Sequence, residues 1–66
     1  SSGHLSARQK EVLTLIGKGY INKEVATLLG MSSRTVETHC QSICKKLGLN
    51  SRAAMMRVAI KSGLSL

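Results

Sequence analysis

Apolar residues recur along this chain at three- and four-residue spacing and nowhere alternate strictly. The sequence also contains no Pro. That pattern predicts an all-α chain. The stretch "LSARQKEVLTLIGKGY" sets Ser6 three residues before Gln9, the signature of a capping box, and then puts Val12, Leu13 and Ile16 on one helical face. Gly19 after Lys18 fits a left-handed C-terminal cap, with Tyr20 closing onto the core. A second helix is predicted from about Lys23 to Leu29, with Val25, Leu28 and Leu29 inward and Gly30 as its end. Ser32 or Ser33 caps a third, which runs to about Lys46, turns Val36, Ile43 and Leu47 inward and stops at Gly48. Asn50 or Ser51 caps a fourth, from about Arg52 to Lys61, ended by Gly63. Met56, Ala59 and Ile60 are assigned to its core face, which leaves Ala54, Met55 and Val58 as a small exposed apolar patch on the neighbouring face.

The second and third helices are separated only by "GMSS". Two helices joined through so short a turn containing Gly form a helix-turn-helix. Ala26 is small where the helices approach, Gly30 can take positive φ, Met31 drops an apolar side chain under the turn, and Val36 faces back onto Val25 and Leu29. A generic helical hairpin would use the same Gly, so charge decides between the two. Ten Lys/Arg stand against three Glu, a net charge of +7 in 66 residues. That balance favours a polyanion. With no Trp, no Phe and one Tyr, the chain lacks the stacking side chains of a single-strand binder, so a duplex is the better partner. The third helix then becomes a recognition helix. Its outward face carries Arg34, Glu37, Thr38, Gln41 and Lys45, types suited to base edges and phosphates. Glu37 either accepts from a base or only pairs with Arg34 along the helix.

Length allows one small domain with a thin core. Residues 1–4 read as a tag remnant or linker end, with His4 belonging to the terminus, and residues 5–66 as the domain. No apolar run is long enough to span a bilayer. Cys40 and Cys44 lie one turn apart on one helix face, without the second ligand pair that zinc needs, and read as small side chains packed in or near the core. Reduced thiols suit the cytoplasm. His39 has no nucleophile or acid to serve and reads as a packing element. With neither paired carboxylates nor a phosphate-cradling Gly loop, no catalytic residue, metal or cofactor is expected.

The segments "EVL" with Glu11, "NKEVA", "TVETH", "KKLGL" and "SRA", in this order and spacing, resemble the LuxR/GerE-type DNA-binding domain, in the form found at the C-terminus of NarL-type response regulators. The resemblance runs from Leu5 to about Leu64. It implies a compact four-helix domain that binds duplex DNA as a dimer and regulates transcription, with the fourth helix as the dimer contact. It places Glu37, Thr38 and Gln41 where the family reads bases, and Asn22, Lys23, Thr35 and Lys46 where it touches the backbone. Ser33, Arg34 and Lys45 complete the expected backbone contacts, and Ala54, Met55 and Val58 the expected dimer surface. It also implies that Glu11 is a buried or half-buried acid tying the first helix to the rest. The chain departs from the family where Ile21 replaces the usual Ser or Thr, leaving Asn22 to cap one residue late. It departs again where Cys40, Ser42 and Glu37 replace Arg, Asn and Lys.

The expected partners are double-stranded DNA and a second copy on DNA, with an N-terminal regulatory domain supplying the input. A sigma-factor region-four-like module, contacting promoter DNA and RNA polymerase, is the alternative binding reading. A basic membrane-surface peptide is disfavoured by the missing aromatic face.

Overall fold

A computed structural model describes residues 5–62. The linker end read at residues 1–4, with His4, and the Gly63 cap lie outside them. Four helices follow one another: α1 (Ala7–Gly17), α2 (Asn22–Leu29), α3 (Ser33–Leu47) and α4 (Arg52–Lys61). Among the described residues all regular structure is helical. The boundaries match the sequence pattern to within a residue because the punctuation is chemical. Ser6 accepts from the Gln9 amide at 3.1 Å, and Gln9 Oε1 accepts from the Ser6 amide at 3.0 Å, closing the capping box. Ser32, not Ser33, caps α3 by accepting from the Thr35 amide, and Ser51, not Asn50, caps α4 by accepting from Ala54.

α2 starts differently from the expectation. Asn22 does not cap it. Ile21 occupies the cap position with extended backbone, and only the reverse half of the box forms, the Ile21 amide donating to Glu24 Oε1 at 3.0 Å. Asn22 is already helical and its side chain is engaged elsewhere, as described below.

The core is aliphatic. Val12, Leu13 and Ile16 from α1, Val25 and Ala26 from α2, Val36 and Ile43 from α3, and Met55 and Ala59 from α4 form one cluster. α1 packs against each of the other helices, α4 leans chiefly on α1, and α2 pairs with α3. At the end of α2 the amides of Gly30 and Met31 both donate to the Ala26 carbonyl. Gly30 has φ 67°, and a Cβ added there would meet nothing within 4 Å. The turn therefore needs Gly for its left-handed backbone, which L side chains resist, and not for room.

Several inward assignments change. On α4 the buried residues are Met55 and Ala59, Val58 is half-buried against the core, and Ile60 is 58% exposed. The helix is thus rotated by one residue from the expected phase. Either apolar stripe satisfies three- and four-residue spacing. The deciding residue is Arg57, about 200° around the helix from Met55, which must face water. Leu28 on α2 is 57% exposed because the buried face is centred on Val25, Leu29 and the small Ala26. Tyr20 does not close onto the core and lies exposed along the connection to α2.

The α4 phase gives a direct stability test. Met55→Ala should cost about 2–5 kcal/mol, the range for emptying a buried Met site. Ile60→Ala should stay within about 0.5 kcal/mol, as for ordinary surface positions. Urea unfolding followed by circular dichroism measures both, and equal losses would reject this placement of α4.

Candidate nucleic-acid interface

α3 is the longest helix, with 15 residues, and buries only Val36 and Ile43. These lie two turns apart on one side of the helix, with Cys40, Cys44 and Leu47 half-buried beside them, and the opposite side is left in solvent. On that face Arg34, Glu37, Thr38, Gln41 and Lys45 are all exposed, as the helical pattern predicts. The Thr38 hydroxyl donates back to the Arg34 carbonyl at 3.1 Å, leaving its methyl and an oxygen that can only accept. Glu37 forms no pair with Arg34. Among the described residues the one ion pair joins Arg8 and Glu11. The Glu37 carboxylate therefore stays available as an acceptor.

The N-terminus of α3 is set by a hydroxyl pair, Ser32 Oγ and Thr35 Oγ1 at 2.9 Å. Beyond this cap, the first helical amides, including those of Ser33 and Arg34, have no intrahelical acceptor by the geometry of any helix start, and they favour an anion. At the other end stand Lys45 and Lys46. Lys45 is exposed and unengaged. Lys46 donates from Nζ to Gln9 Oε1 at 3.0 Å, binding the end of α3 to the start of α1. Among the described residues Gln9 is the one buried polar residue, 8% exposed.

Glu11 does not have the tying role expected of it. It is exposed and pairs only with Arg8, 3.4 Å away on its own helix. Gln9 takes that role because it shares the buried stripe: residues 9, 12, 13 and 16 follow the spacing of one helical face, and Glu11 points away from it. That spacing was readable in the sequence.

A second tie was not readable. Arg52, the first residue of α4, donates from Nη1 to Asn22 Oδ1 and from Nη2 to the Tyr20 carbonyl, both at 2.6 Å. The Cys40 thiol, from α3, makes a long contact to the same Asn22 oxygen at 3.9 Å. α2, α3 and α4 thus share one amide oxygen. The Asn22 side-chain oxygen is therefore committed, while its Nδ2 amine and backbone amide remain as donors for an external anion. Lys23 beside it is exposed. Burial pushes the Cys40 thiol up from its ordinary value, with the Arg52 charge opposing, so Cys40 is a neutral thiol. Cys40 and Cys44 are both free and half-buried against the core.

The outer face of α4 differs from the patch expected of Ala54, Met55 and Val58. Met55 is core and the other two are half-buried. Arg52, Ala53, Arg57, Ile60 and Lys61 face water, and Met56, half-buried against the core, borders Ala53 and Ile60.

Residues 3–59 match the profile of the bacterial regulatory proteins of the luxR family. The chain is 41% identical over 63 residues to the transcriptional regulatory protein MctR of Rhizobium johnstonii, covering 96% of this chain and 29% of that protein. It is 48% identical over 60 residues to the oxygen regulatory protein NreC of Staphylococcus aureus strain JH9, covering 91% of this chain and 28% of that protein. The chain therefore spans less than a third of the length of these relatives. No solved structure matches it.

The Arg52–Asn22 contact should be worth about 1 kcal/mol, discounted for its exposure from the usual value of a charge-assisted bond. A double-mutant cycle of Arg52→Ala and Asn22→Ala, read by chemical denaturation, measures it. Full additivity of the two losses would mean the contact carries no energy.

Proposed function

The chain belongs to the luxR family of bacterial regulatory proteins, and we propose that it binds duplex DNA sequence-specifically, with α3 as the recognition helix in a major groove, as the output domain of a two-component response regulator. The carrying observation is the face of α3: a 15-residue helix buries two side chains and presents Arg34, Glu37, Thr38, Gln41 and Lys45 together. In this reading Glu37, Thr38 and Gln41 meet base edges. Glu37 accepts from a cytosine amine, Thr38 offers its methyl to thymine, and Gln41 pairs two-point with adenine. Ser33, Arg34 and Thr35 at the start of α3, Lys45 and Lys46 at its end, and Asn22 and Lys23 at the start of α2 hold phosphates. The work is binding, not catalysis, and needs no cofactor. A regulatory domain supplies the input, which is supported by the greater length of both relatives. The protein acts in the cytoplasm; among the described residues no helix is long and apolar enough to cross a membrane.

Selection from a random duplex pool, followed by titration of the enriched site, tests this reading. Affinity should fall by roughly 10³–10⁵ between 50 and 200 mM salt, the range for about 6–10 phosphate contacts. Gln41→Ala should relax preference at one base pair, while Lys45→Ala should weaken all duplexes about equally. Lys45 is the cleaner phosphate probe, because removing Lys46 also releases Gln9. An unenriched pool or a flat salt response would refute the reading.

We further propose that two copies pair on DNA through α4, over half-sites about one helical turn apart. The surface is Ala53, Met56, Arg57 and Ile60, because the Met55 side chain is core. A carboxylate at Val58 would be driven against the core, so Ile60→Glu is the proper probe. It should leave the helical content intact and abolish cooperativity on a two-half-site duplex in a gel-shift titration, with single half-site affinity kept. Undiminished cooperativity would remove α4 from the interface.

A further inference from the structure

Three sulfur-bearing side chains border one groove, and the DNA-binding reading uses none of their sulfurs. The groove, about 290 Å³, lies between α3 and the start of α4 and is lined by Cys40, Cys44 and Met55, with Arg52 and Gln41 among the remaining walls. Cys40 and Cys44 are one turn apart on α3, with Cβ atoms about 5–6 Å from each other on the same helix face. Metal–thiolate bonds of about 2.3 Å can bridge such a pair through ordinary rotamer choices. Both thiols are free, and Met55 brings a thioether from the facing helix.

The donor set selects the ion. Among the described residues no group of three His, Cys, Asp or Glu could hold a metal. A four-coordinate zinc site is therefore not built here. Thiolate and thioether ligands are the soft donors that favour monovalent copper, which is content with fewer of them than zinc. Charge agrees. One Cu(I) and two thiolates sum to one negative charge, and the Arg52 guanidinium stands in the wall of the same groove.

We propose that Cys40, Cys44 and Met55 form a Cu(I) site that fastens the recognition helix to α4. Binding replaces two S–H bonds with two Cu–S bonds, releases two protons to solvent and adds the Met55 thioether as a third donor. No oxidation state changes. The site is independent of DNA recognition and stands or falls without it.

The test is an anaerobic titration of the reduced chain with Cu(I) in competition with the chromogenic chelator bicinchoninate. One equivalent per chain should leave the chelator, X-ray absorption should show sulfur-only coordination, and the melting temperature should rise, as it must for any ligand of the folded state. Met55→Leu preserves side-chain volume and so the fold, yet should weaken Cu(I) binding at least tenfold. The double variant Cys40→Ser/Cys44→Ser should take no Cu(I) from the chelator. Copper left wholly on the chelator by the parent chain overturns the site. So does equal uptake by the double Ser variant, which would place the metal on histidine or the terminus. Unchanged affinity in a folded Met55→Leu chain overturns the three-sulfur assignment.

Discussion

The burial of one face of α1 is the constraint on which the other helices depend. Val12, Leu13 and Ile16 are at most 1% exposed, and α1 is the helix that touches all the others. Burying each such side chain is worth roughly 1.5–3 kcal/mol. In a 66-residue chain without Phe or Trp, few other sites offer as much. α3 rests on this cluster through Val36 and Ile43, and α4 through Met55 and Ala59. The orientation of α3 is thus set from behind by α1, while its exposed face takes no part in the core. That separation allows the exposed face of α3 to vary in sequence without loss of the fold.

Aliphatic packing fixes position less sharply than direction, and two polar ties supply the remainder. Lys46 to Gln9 joins the end of α3 to α1, and Arg52 joins the start of α4 to the backbone and side chain at the start of α2. Arg52 is electrostatically misplaced by helix rules, since a cation at a helix N-terminus opposes the macrodipole. Its two short hydrogen bonds offset that cost. Because Asn22 also receives the Cys40 thiol, the junction places α2, α3 and α4 in contact with a single acceptor.

The helices and their limits were legible in the sequence because they depend on local chemistry: Ser6 with Gln9, Ser32, Ser51, and glycines that accept positive φ. Helix phase was harder. On α4, Ala54, Met55, Met56, Val58, Ala59 and Ile60 are all apolar, so spacing allows two faces, and only the requirement that Arg57 face solvent separates them. On α2 the small Ala26 draws the buried face away from Leu28. Of the candidate site, the exposed row on α3 was legible, because the apolar side carrying Val36, Ile43 and Leu47 defines its opposite. The engagement of Asn22 by Arg52, thirty residues later, was not, since nothing local to either residue encodes it. Glu11 was misplaced for a different reason. The resemblance supplied a buried acid there, whereas the α1 stripe passes through Gln9.

The charges of α3 are arranged by position along its axis. At its start the unpaired helical amides carry the positive end of the macrodipole, with Arg34 beside them. At its end Lys45 and Lys46 offset the negative end. Between them the face is neutral or acidic, with Glu37, Thr38 and Gln41. A helix of this length is about 22 Å long, well beyond the roughly 12 Å width of a major groove. A helix laid across the groove in the proposed docking would bring its two positive ends toward the phosphates on either side and its middle over the bases. Glu37 is tolerable only in that middle. There the flanking cations hold the phosphates, and an unpaired carboxylate meets an amine donor or nothing, so it penalises every site that lacks the donor and adds selectivity without adding affinity.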